Sequence, residues 1–304
     1  MSGAATLAAA SLDVDDAERI GRDFVATSLE EALARAGVAV APDAGDGDGF
    51  GARLVTVQRS QRTDDGSRRR SLVRREVAWL ARTVRPRHAV VLHPFCGPGH
   101  YASALRRYDV SAYRGLDRSV PVVTAARRLH RWGPSFRFEV ADALATACPP
   151  DSADLALLTY ETLNAVPEAT ARDLLGSLVR AVRPGGHLFV DVQPAPPEEV
   201  SVRTFATPRW SVFAPEPQLL LVDRVETAAP TPRIEVRVAV VPLAGPQRAR
   251  IVRSTRWCHD VTALCGSIGT ARVVAAASLH SGTRSDKPET ARARQLVIRR
   301  EDVT

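Results

Sequence analysis

The stretch from His88 to Leu105 constrains the fold more than any other part of the sequence. Its apolar run, Ala89 to Leu92, is bounded by polar, glycine and proline residues and predicts a short buried strand. Phe95-Cys96-Gly97-Pro98-Gly99 then predicts a tight turn, and Tyr101 to Arg107 has helical composition. This order typifies the opening of a nucleotide-binding α/β unit, because glycines let the backbone approach a ligand and a helix start favours an anion.

Further strands follow at the spacing of an α/β sheet. Asp117 ends the next predicted strand 18 residues after Gly99 (117 − 99), close to where such folds place the acid that binds ribose hydroxyls. An amphipathic helix over Leu174–Arg183 ends at Pro184-Gly185-Gly186. The four predicted strands are Ser111–Asp117, Phe136–Asp142, Asp154–Tyr160 and His187–Val192.

Taken together, these motifs resemble those of the class I S-adenosylmethionine-dependent methyltransferases, in the family's order and at its spacing over about residues 85 to 195. The resemblance implies an α/β fold: a doubly wound Rossmann-like sheet with an N-terminal helical cap and an inserted antiparallel β meander. It also implies S-adenosylmethionine as the cofactor. The matching segments are Val91–Gly99, Gly115–Asp117, Val140–Asp142, Asp154–Leu158 and Leu178–Gly186.

The resemblance carries cofactor-binding roles onto individual residues. Backbone at the glycines and at the start of the following helix would approach the cofactor, Asp117 would accept from the ribose hydroxyls, and Asp142 would accept from the adenine amino group. The alternatives stay open: the glycines only turn the chain, Asp117 caps the next helix, and Asp142 is a surface turn acid. The expected binding residues are His93, Cys96, Gly97, Gly99, Tyr101, Asp117, Arg118, Asp142, Ala143 and Tyr160.

His93 departs from the family's pattern, which has an acid at this position. In the family that acid helps to hold the cationic amino end of the cofactor. A neutral imidazole holds it weakly and a protonated one repels it, and a hydrogen bond to a charged group contributes roughly 1.5–3 kcal/mol. The departure therefore implies either weaker cofactor binding or a site that has drifted from methyl transfer.

Candidate catalytic residues lie in two places: directly after the fourth strand of the core, and where the chain re-enters the core after the predicted insertion. Tyr160 and Glu161 lie where the sulfonium and the acceptor meet in the family, and Asn164 nearby is equally well explained as a helix-start cap. His259 is the candidate base if the acceptor is a hydroxyl or an amine, because imidazole titrates near neutral pH, and His100 and His187 are the other options. A single histidine in a sequence is nevertheless more often structural.

Outside this core the pattern predicts helices, then a β meander, then a return to the core. Helices are expected over Asp13–Ala36 and Ser71–Val84, with an extended piece over Arg53–Gln58 between them. A helix over Val261–Ser267 is expected to precede two last strands, Ala271–Ser278 and Arg294–Arg299. The meander strands are expected at Thr204–Phe213, Gln218–Glu226, Arg233–Val241 and Arg248–Trp257, and loops at Asp43–Gly51 and Gly282–Thr290.

These elements predict four parts of the chain. Residues 1–84 form an N-terminal helical cap, and 85–195 form the cofactor-binding core. Residues 196–258 form an antiparallel insertion over the active site, and 259–304 complete the core sheet. An insertion at the carboxyl edge of a parallel sheet is well placed to shape a substrate pocket.

Composition narrows the function classes. The net charge of +7 comes from arginine, with Lys287 as the single lysine, but no basic stripe interleaved with aromatic residues is present. No apolar run approaches the roughly 18 residues of a membrane span. The four cysteines lack zinc-ligand spacing, so reduced thiols in a cytoplasmic protein are expected and no metal.

The sequence thus favours a methyltransferase that acts on a small molecule, with a specialised metabolite as one possibility. One alternative keeps the fold but no longer methylates. A nucleic-acid methyltransferase is disfavoured because the Asn/Asp-Pro-Pro-aromatic motif is absent. A nicotinamide-dependent oxidoreductase is disfavoured because Ala102 stands at the third glycine position and no Tyr-x-x-x-Lys is present. The acceptor stays open, as does the formation of a homodimer.

Overall fold

The computed structural model describes residues 12–41, 49–60, 64, 66–146, 148–244, 248–279 and 294–301. Its helices are α1 Val14–Ala26, α2 Leu29–Arg35, α3 Phe50–Arg59, α4 Arg70–Val84, α5 His100–Leu105, α6 Val120–Leu129, α7 Glu168–Ala181 and α8 Val261–Ile268. Its strands are β1 Ala39–Val40, β2 Val90–Pro94, β3 Ala112–Asp117, β4 Phe136–Val140, β5 Ala153–Leu158, β6 Val182–Asp191, β7 Val200–Ala206, β8 Gln218–Thr227, β9 Arg233–Pro242, β10 Arg248–Trp257, β11 Ala271–Ala277 and β12 Gln295–Arg300.

The larger sheet has seven strands in the order β11-β12-β6-β5-β2-β3-β4. β2 to β6 pair in parallel, whereas β12 and β11 pair antiparallel at one end. The strand order reverses at β2, which lies between β3 and β5. A crevice forms outside the carboxyl ends of the strands at such a reversal, and ligands bind there. The α/β fold class predicted from the sequence is confirmed.

Both faces of this sheet are covered by helices, as parallel sheets require. Leu92, Leu116 and Leu158 point to the face on which α7 and α8 pack. Val91 and Tyr113 point to the opposite face, which carries residues of α4, α5 and α6. Neighbouring residues of a strand point to opposite faces of the sheet, so Val91 and Leu92 reach different helical layers.

A second sheet of five strands has the order β1-β10-β9-β8-β7. Apolar residues of α1 and α2, among them Ile20, Phe24 and Leu33, form one buried cluster with Leu219 and Leu221 of β8. Asp13 starts α1 and Ser28 starts α2, because each side-chain oxygen accepts a hydrogen bond from a backbone N–H of the first turn.

The chain divides into two compact units that differ from the four parts predicted. The first comprises residues 1–53, 197–228 and 233–255, and the second comprises residues 54–196, 229–232 and 256–304. The predicted N-terminal cap is thus shared between them: α1 and α2 belong to the first unit and α4 to the second. The predicted role of residues 196–258 over an active site stays a prediction.

Three predicted elements were wrong. The one helix expected over Asp13–Ala36 is two, α1 and α2, because Ser28 starts a new helix. Residues 53–58 were expected to be extended, but they belong to α3, since the strand preference of Val55 and Val57 gives way to tertiary contacts. The first meander strand ends at Ala206 rather than Phe213. Pro208 explains the early end, because proline cannot donate to a β ladder. Most of the loop expected at 43–51 and all of the loop expected at 282–290 lie outside the described residues.

Position 93 brings a polar group into the core of the second unit. The His93 side chain is fully buried, with its Nδ1 2.6 Å from the Tyr113 hydroxyl and its Nε2 3.0 Å from the Thr159 hydroxyl. The rings of Tyr101 and Tyr113 meet it edge-on. Burial lowers the pKa of His93 to about 3, so the imidazole is neutral.

No helix among the described residues is long and apolar enough to span a membrane.

Two glycines of the second unit are expected to respond to alanine with opposite signs. A methyl group at Gly186 would lie 2.5 Å from Val182 Cγ1 and 2.8 Å from the Asp154 carbonyl oxygen, so Gly186→Ala should lower the free energy of unfolding by about 1–3 kcal/mol. At Gly176, inside α7, the nearest atom is Arg180 Nη1 at 3.5 Å, so Gly176→Ala should raise it by about 0.5–1 kcal/mol. Urea unfolding of both variants checks this, and two shifts of the same sign contradict it.

Buried His93 is also expected to make stability depend on pH. The pKa of His93 in the folded chain lies below the ordinary 6.5. Between pH 6.5 and about 3, His93 is therefore protonated in the unfolded chain but neutral in the folded chain. Stability from this group is therefore intact above pH 6.5 and falls as the pH drops. Between pH 7 and pH 5 the wild type should lose roughly 2 kcal/mol more than His93→Gln. Urea unfolding of both proteins at the two pH values measures this, and equal losses would refute it.

Candidate functional site

The glycine turn after β2 forms the centre of the candidate site. Phe95, Gly97 and Gly99 have φ angles of 56°, 55° and 83°, so the chain reverses sharply within five residues. A Cβ at Gly99 would lie 2.6 Å from the His130 ring and 2.9 Å from Phe138, which leaves glycine as the residue that fits. A Cβ at Gly97 would meet one described atom within 4 Å, Gln58 Nε2 at 3.9 Å. The Cα of Gly97 therefore faces space that the described residues leave largely open.

Asp117, at the end of β3, holds this turn from the side. Its Oδ2 accepts a hydrogen bond from the Gly97 N–H at 3.1 Å, and its Oδ1 accepts from the Ser119 N–H at 2.9 Å. A carboxylate has about four acceptor positions, so both oxygens can accept further hydrogen bonds. Cys96, between the turn and β3, is buried, and burial followed by the Asp117 charge raises the pKa of its thiol.

Asp142 lies at the same edge of the sheet, two residues beyond β4. β3 and β4 run parallel with Asp117 opposite Val140, so the two acids stand at neighbouring strand tips, as predicted. Asp142 is exposed and its Oδ1 accepts from the Leu144 N–H at 2.9 Å. Arg118 is exposed and Ala143 is half-buried beside it. Asp117 and Asp142 thus each accept a hydrogen bond from a backbone N–H two residues later, which is the local role expected as the alternative. Each carboxylate also keeps free acceptor positions.

The start of α5 is fastened by its side chains. The Tyr101 hydroxyl donates to the buried Glu76 carboxylate of α4, and burial, followed by the charges of Glu76 and Asp191, raises the Tyr101 pKa well above 10. His100 Nε2 donates to the Gln58 carbonyl oxygen at 2.9 Å, and burial lowers its pKa. The Tyr101 side chain points into the core, so a cofactor role for this residue would rest on its backbone.

A buried arginine joins the elements next to this edge. Arg68 has a side chain only 10% exposed, and its Nη2 donates to Glu161 at 2.8 Å and to Asp191 at 3.0 Å. Arg256 and Arg294 also reach Glu161, at 2.6 and 3.4 Å. Burial by itself would raise the pKa of Glu161, but these arginines outweigh it, so that its pKa lies below the ordinary value. Glu161 is thus a charged anchor for three guanidinium groups.

The turn after β5 is strained and held by the same group of residues. Tyr160 and Glu161 both have φ angles of 57°, which non-glycine residues rarely adopt. The Tyr160 N–H donates to Asp191 Oδ2 at 3.1 Å, and its hydroxyl donates to the Asp64 carbonyl oxygen at 2.7 Å. The Arg68 guanidinium lies 5.1 Å from the Tyr160 ring centre. Strain of this kind persists where surrounding contacts fix the backbone and clusters at functional sites.

Two buried side-chain atoms of this unit lack a hydrogen-bond partner among the described residues. They are Gln58 Oε1, an acceptor, and Arg68 Nε, a donor. Buried polar atoms are nearly always satisfied, so each orphan needs an explanation, and an absent ligand is one. With the open space at Gly97 and the free capacity of Asp117, they make the edge a fitting cradle for a polar cofactor.

His259 and Asn164 lie beyond the strained turn. His259 Nε2 donates to the carbonyl oxygens of Leu163 and Val166 at 3.1 and 3.0 Å, which leaves Nδ1 as the acceptor of the ring. Asn164 is fully buried and ties Gln193 to the Trp257 carbonyl oxygen, rather than capping a helix. His259 also lines a cavity of about 590 Å³ between α7, α8 and the segment after β6.

Sequence reasoning missed several residues that build this edge. They are Gln58, Arg68, Glu76, Asp191 and Gln295, and four of the five carry no local pattern. Gln295 Nε2 lies 3.0 Å from Asp191 Oδ1 and 3.5 Å from Glu76 Oε1. A signal existed only at Asp191, which is the acid at the tip of a predicted strand. No group of three or more His, Cys, Asp or Glu that could hold a metal occurs in the described part of the chain.

Known proteins match this fold and this edge of the sheet. Residues 91–186 match the model of the methyltransferase domain family. Solved structures that match include the CcbJ methyltransferase of Streptomyces caelestis (14% identity, 83% of this chain and 98% of that one, TM-score 0.60). Another is the sugar N-methyltransferase KedS8 of a Streptoalloteichus species (16%, 76% and 88%, TM-score 0.51). A third is S-adenosylmethionine-bound CalS10, an amino pentose methyltransferase of Micromonospora echinaspora (17%, 75% and 89%, TM-score 0.50).

A search of curated protein sequences finds no match. At identities this low, the matches to solved structures show a shared fold alone. The domain match covers the glycine turn, Asp117, Asp142 and the turn after β5. Residues 91–186 are therefore a methyltransferase domain of the class I S-adenosylmethionine-dependent type.

Proposed function

We propose that this enzyme transfers the methyl group of S-adenosylmethionine to a small molecule, with a sugar or another specialised metabolite as the favoured class. The observation that carries the cofactor assignment is the open space at Gly97, bordered by the Asp117 carboxylate. The acceptor class is supported by the structural neighbours, which include an amino pentose methyltransferase and a sugar N-methyltransferase.

Within this proposal, the residues at the strand tips bind the cofactor. Backbone at Gly97 and Gly99 allows close approach, and the Asp117 oxygens accept from the ribose hydroxyls while keeping their bonds to Gly97 and Ser119. Asp142 accepts from the adenine amino group, and its exposure leaves its second oxygen free to do so. Cys96, Arg118 and Ala143, the sequence neighbours of Gly97, Asp117 and Asp142, border the cofactor in this proposal.

When bound, the cofactor supplies a methyl group on a sulfonium, which already carries its own leaving group. The chain therefore contributes mainly position. Glu161 is charged and engaged by three arginines, so we assign it the role of fixing the Tyr160 turn rather than removing a proton. The Tyr160 ring, stacked near Arg68, then borders the acceptor's approach.

His259 remains the proposed base for a hydroxyl or amine acceptor. Its Nε2–H is held by two carbonyl oxygens, so the ring presents Nδ1 with a free lone pair and in a fixed orientation. The adjoining cavity of about 590 Å³ has the size of a small-molecule site.

Asp117→Asn is expected to weaken S-adenosylmethionine binding by roughly tenfold to a hundredfold, because the amide keeps the shape of the carboxylate but loses its charge. Isothermal titration calorimetry measures the effect. Asp109→Asn, an exposed acid of the same domain, is the matched control and should bind like the wild type. A wild type that binds no S-adenosylmethionine would favour a protein that kept the fold and lost methylation.

His259→Gln is expected to lower kcat by roughly a hundredfold or more for an acceptor that must lose a proton, with little change in cofactor affinity. Release of S-adenosylhomocysteine, followed with a panel of amino sugars, hydroxylated metabolites and oligonucleotides, provides the assay. His187→Gln, in the middle of β6, serves as the control. Unchanged kcat in His259→Gln would remove the base assignment. Turnover confined to oligonucleotides, with steep salt dependence, would overturn the small-molecule proposal.

A further inference from the structure

One group of charged residues at the carboxyl edge of the larger sheet buries its acids and leaves two of its arginines in contact with solvent. The side chain of Glu161 is 8% exposed and that of Asp191 is fully buried. Those of Arg256 and Arg294 are 46% and 33% exposed. Arg68, the third arginine, is buried between the two acids. The solvent side of this group therefore carries positive charge, and its negative charge lies beneath.

Arg256 and Arg294 keep most of their hydrogen-bonding capacity for a partner from solvent, because a guanidinium group has five N–H donors. Arg256 donates from Nη1 to Glu161 Oε2 at 2.6 Å. Arg294 donates from Nη1 to Gln193 Oε1 at 3.1 Å and to Glu161 Oε1 at 3.4 Å. Within the described residues these are the hydrogen bonds of the two side chains. Arg294 has no unpaired nitrogen that is closed to solvent, in contrast to Arg68, whose Nε is.

The two exposed guanidinium groups converge, because they contact the two oxygens of a single carboxylate, that of Glu161. This carboxylate also serves Arg68, which has Asp191 as a second partner. Like charges held near each other repel, and an anion placed between them on the solvent side relieves the repulsion. Arginine suits this task, since its planar fork of N–H groups matches the oxygens of a carboxylate or a phosphate.

The strand order indicates which ligand carries this anion. The proposed cofactor contacts lie at the tips of β2, β3 and β4, on one side of the reversal in the sheet. Glu161 follows β5 and Arg294 precedes β12, and these strands lie on the other side. Arg256 reaches the same place from the segment that continues to His259, the proposed base. The anion therefore belongs to the acceptor rather than to the cofactor.

We propose that Arg256 and Arg294 bind an oxyanion of the methyl acceptor, either a phosphate or a carboxylate. This rests on the proposed function, since it takes a small-molecule acceptor as the substrate. It narrows that function to acceptors that carry negative charge, and it makes the two arginines determinants of specificity.

Calorimetric titrations with inorganic pyrophosphate and with malonate test this site directly, on protein saturated with S-adenosylhomocysteine. The wild type should bind at least one of the two anions, and the tighter one distinguishes phosphate from carboxylate. Arg256→Gln and Arg294→Gln should each weaken that binding by roughly tenfold or more, because a charge-assisted hydrogen bond is lost. Arg256→Lys keeps the charge and should lose less than Arg256→Gln.

Arg183→Gln is the matched control. The Arg183 side chain is 47% exposed and is paired with one carboxylate, Asp154, at 3.0 Å, but it lies at the start of β6 and so at the opposite edge of the sheet. This variant should bind both anions like the wild type. All variants should also bind S-adenosylhomocysteine like the wild type, with and without saturating pyrophosphate, which shows that the fold is intact and that anion and cofactor bind together.

Four results overturn the proposal. They are a wild type that binds neither anion, wild-type affinity in both glutamine variants, an equal loss in Arg183→Gln, and displacement of S-adenosylhomocysteine by the anion, which would assign the site to the cofactor. A wild type that binds no S-adenosylhomocysteine would refute the proposed function itself, whatever its affinity for the anions, so the two failures are distinct.

Discussion

The buried guanidinium of Arg68 is the interaction on which the functional edge of the sheet depends. It lies between Glu161 after β5 and Asp191 at the tip of β6, and it comes from the segment just before α4. Burying three charges is costly, and removing one partner leaves another unpaired, at about 3–5 kcal/mol. The three segments are therefore held in one arrangement, and the strained backbone of Tyr160 and Glu161 persists because this arrangement leaves it no alternative.

Arg68 belongs to a polar layer whose charges balance. Its carboxylates are Glu76, Asp191 and Glu161, and its guanidinium groups are those of Arg68, Arg256 and Arg294. Gln295 connects Glu76 with Asp191. Positive charge on a ligand is consequently not attracted by this layer as a whole. Affinity for a cationic cofactor would have to come from groups outside it, and the proposed ones are Asp117 and Asp142.

The sequence predicted the elements whose signals are local. Apolar runs and glycine turns identified β2 to β6 and the acids at their tips, because a buried parallel strand and a tight turn each constrain a few adjacent residues. Gln58, Arg68 and Glu76 carry no such signal. Their partners lie far away along the chain, 123 residues from Arg68 to Asp191 and 219 from Glu76 to Gln295. Local β preference even led to an extended prediction for the segment that α3 forms and that presents Gln58.

His93 shows how the structure changes the meaning of a departure from a family pattern. From the sequence, the lost acid implied either weak cofactor binding or a lost activity. In the fold, the imidazole bridges the hydroxyls of Tyr113 and Thr159, and so links β3 to the end of β5 within an aromatic cluster. An aspartate is too short to span both hydroxyls, and its charge would be buried without a cation beside it. Histidine at this position is therefore part of the core, because both of its ring nitrogens are engaged by protein hydroxyls.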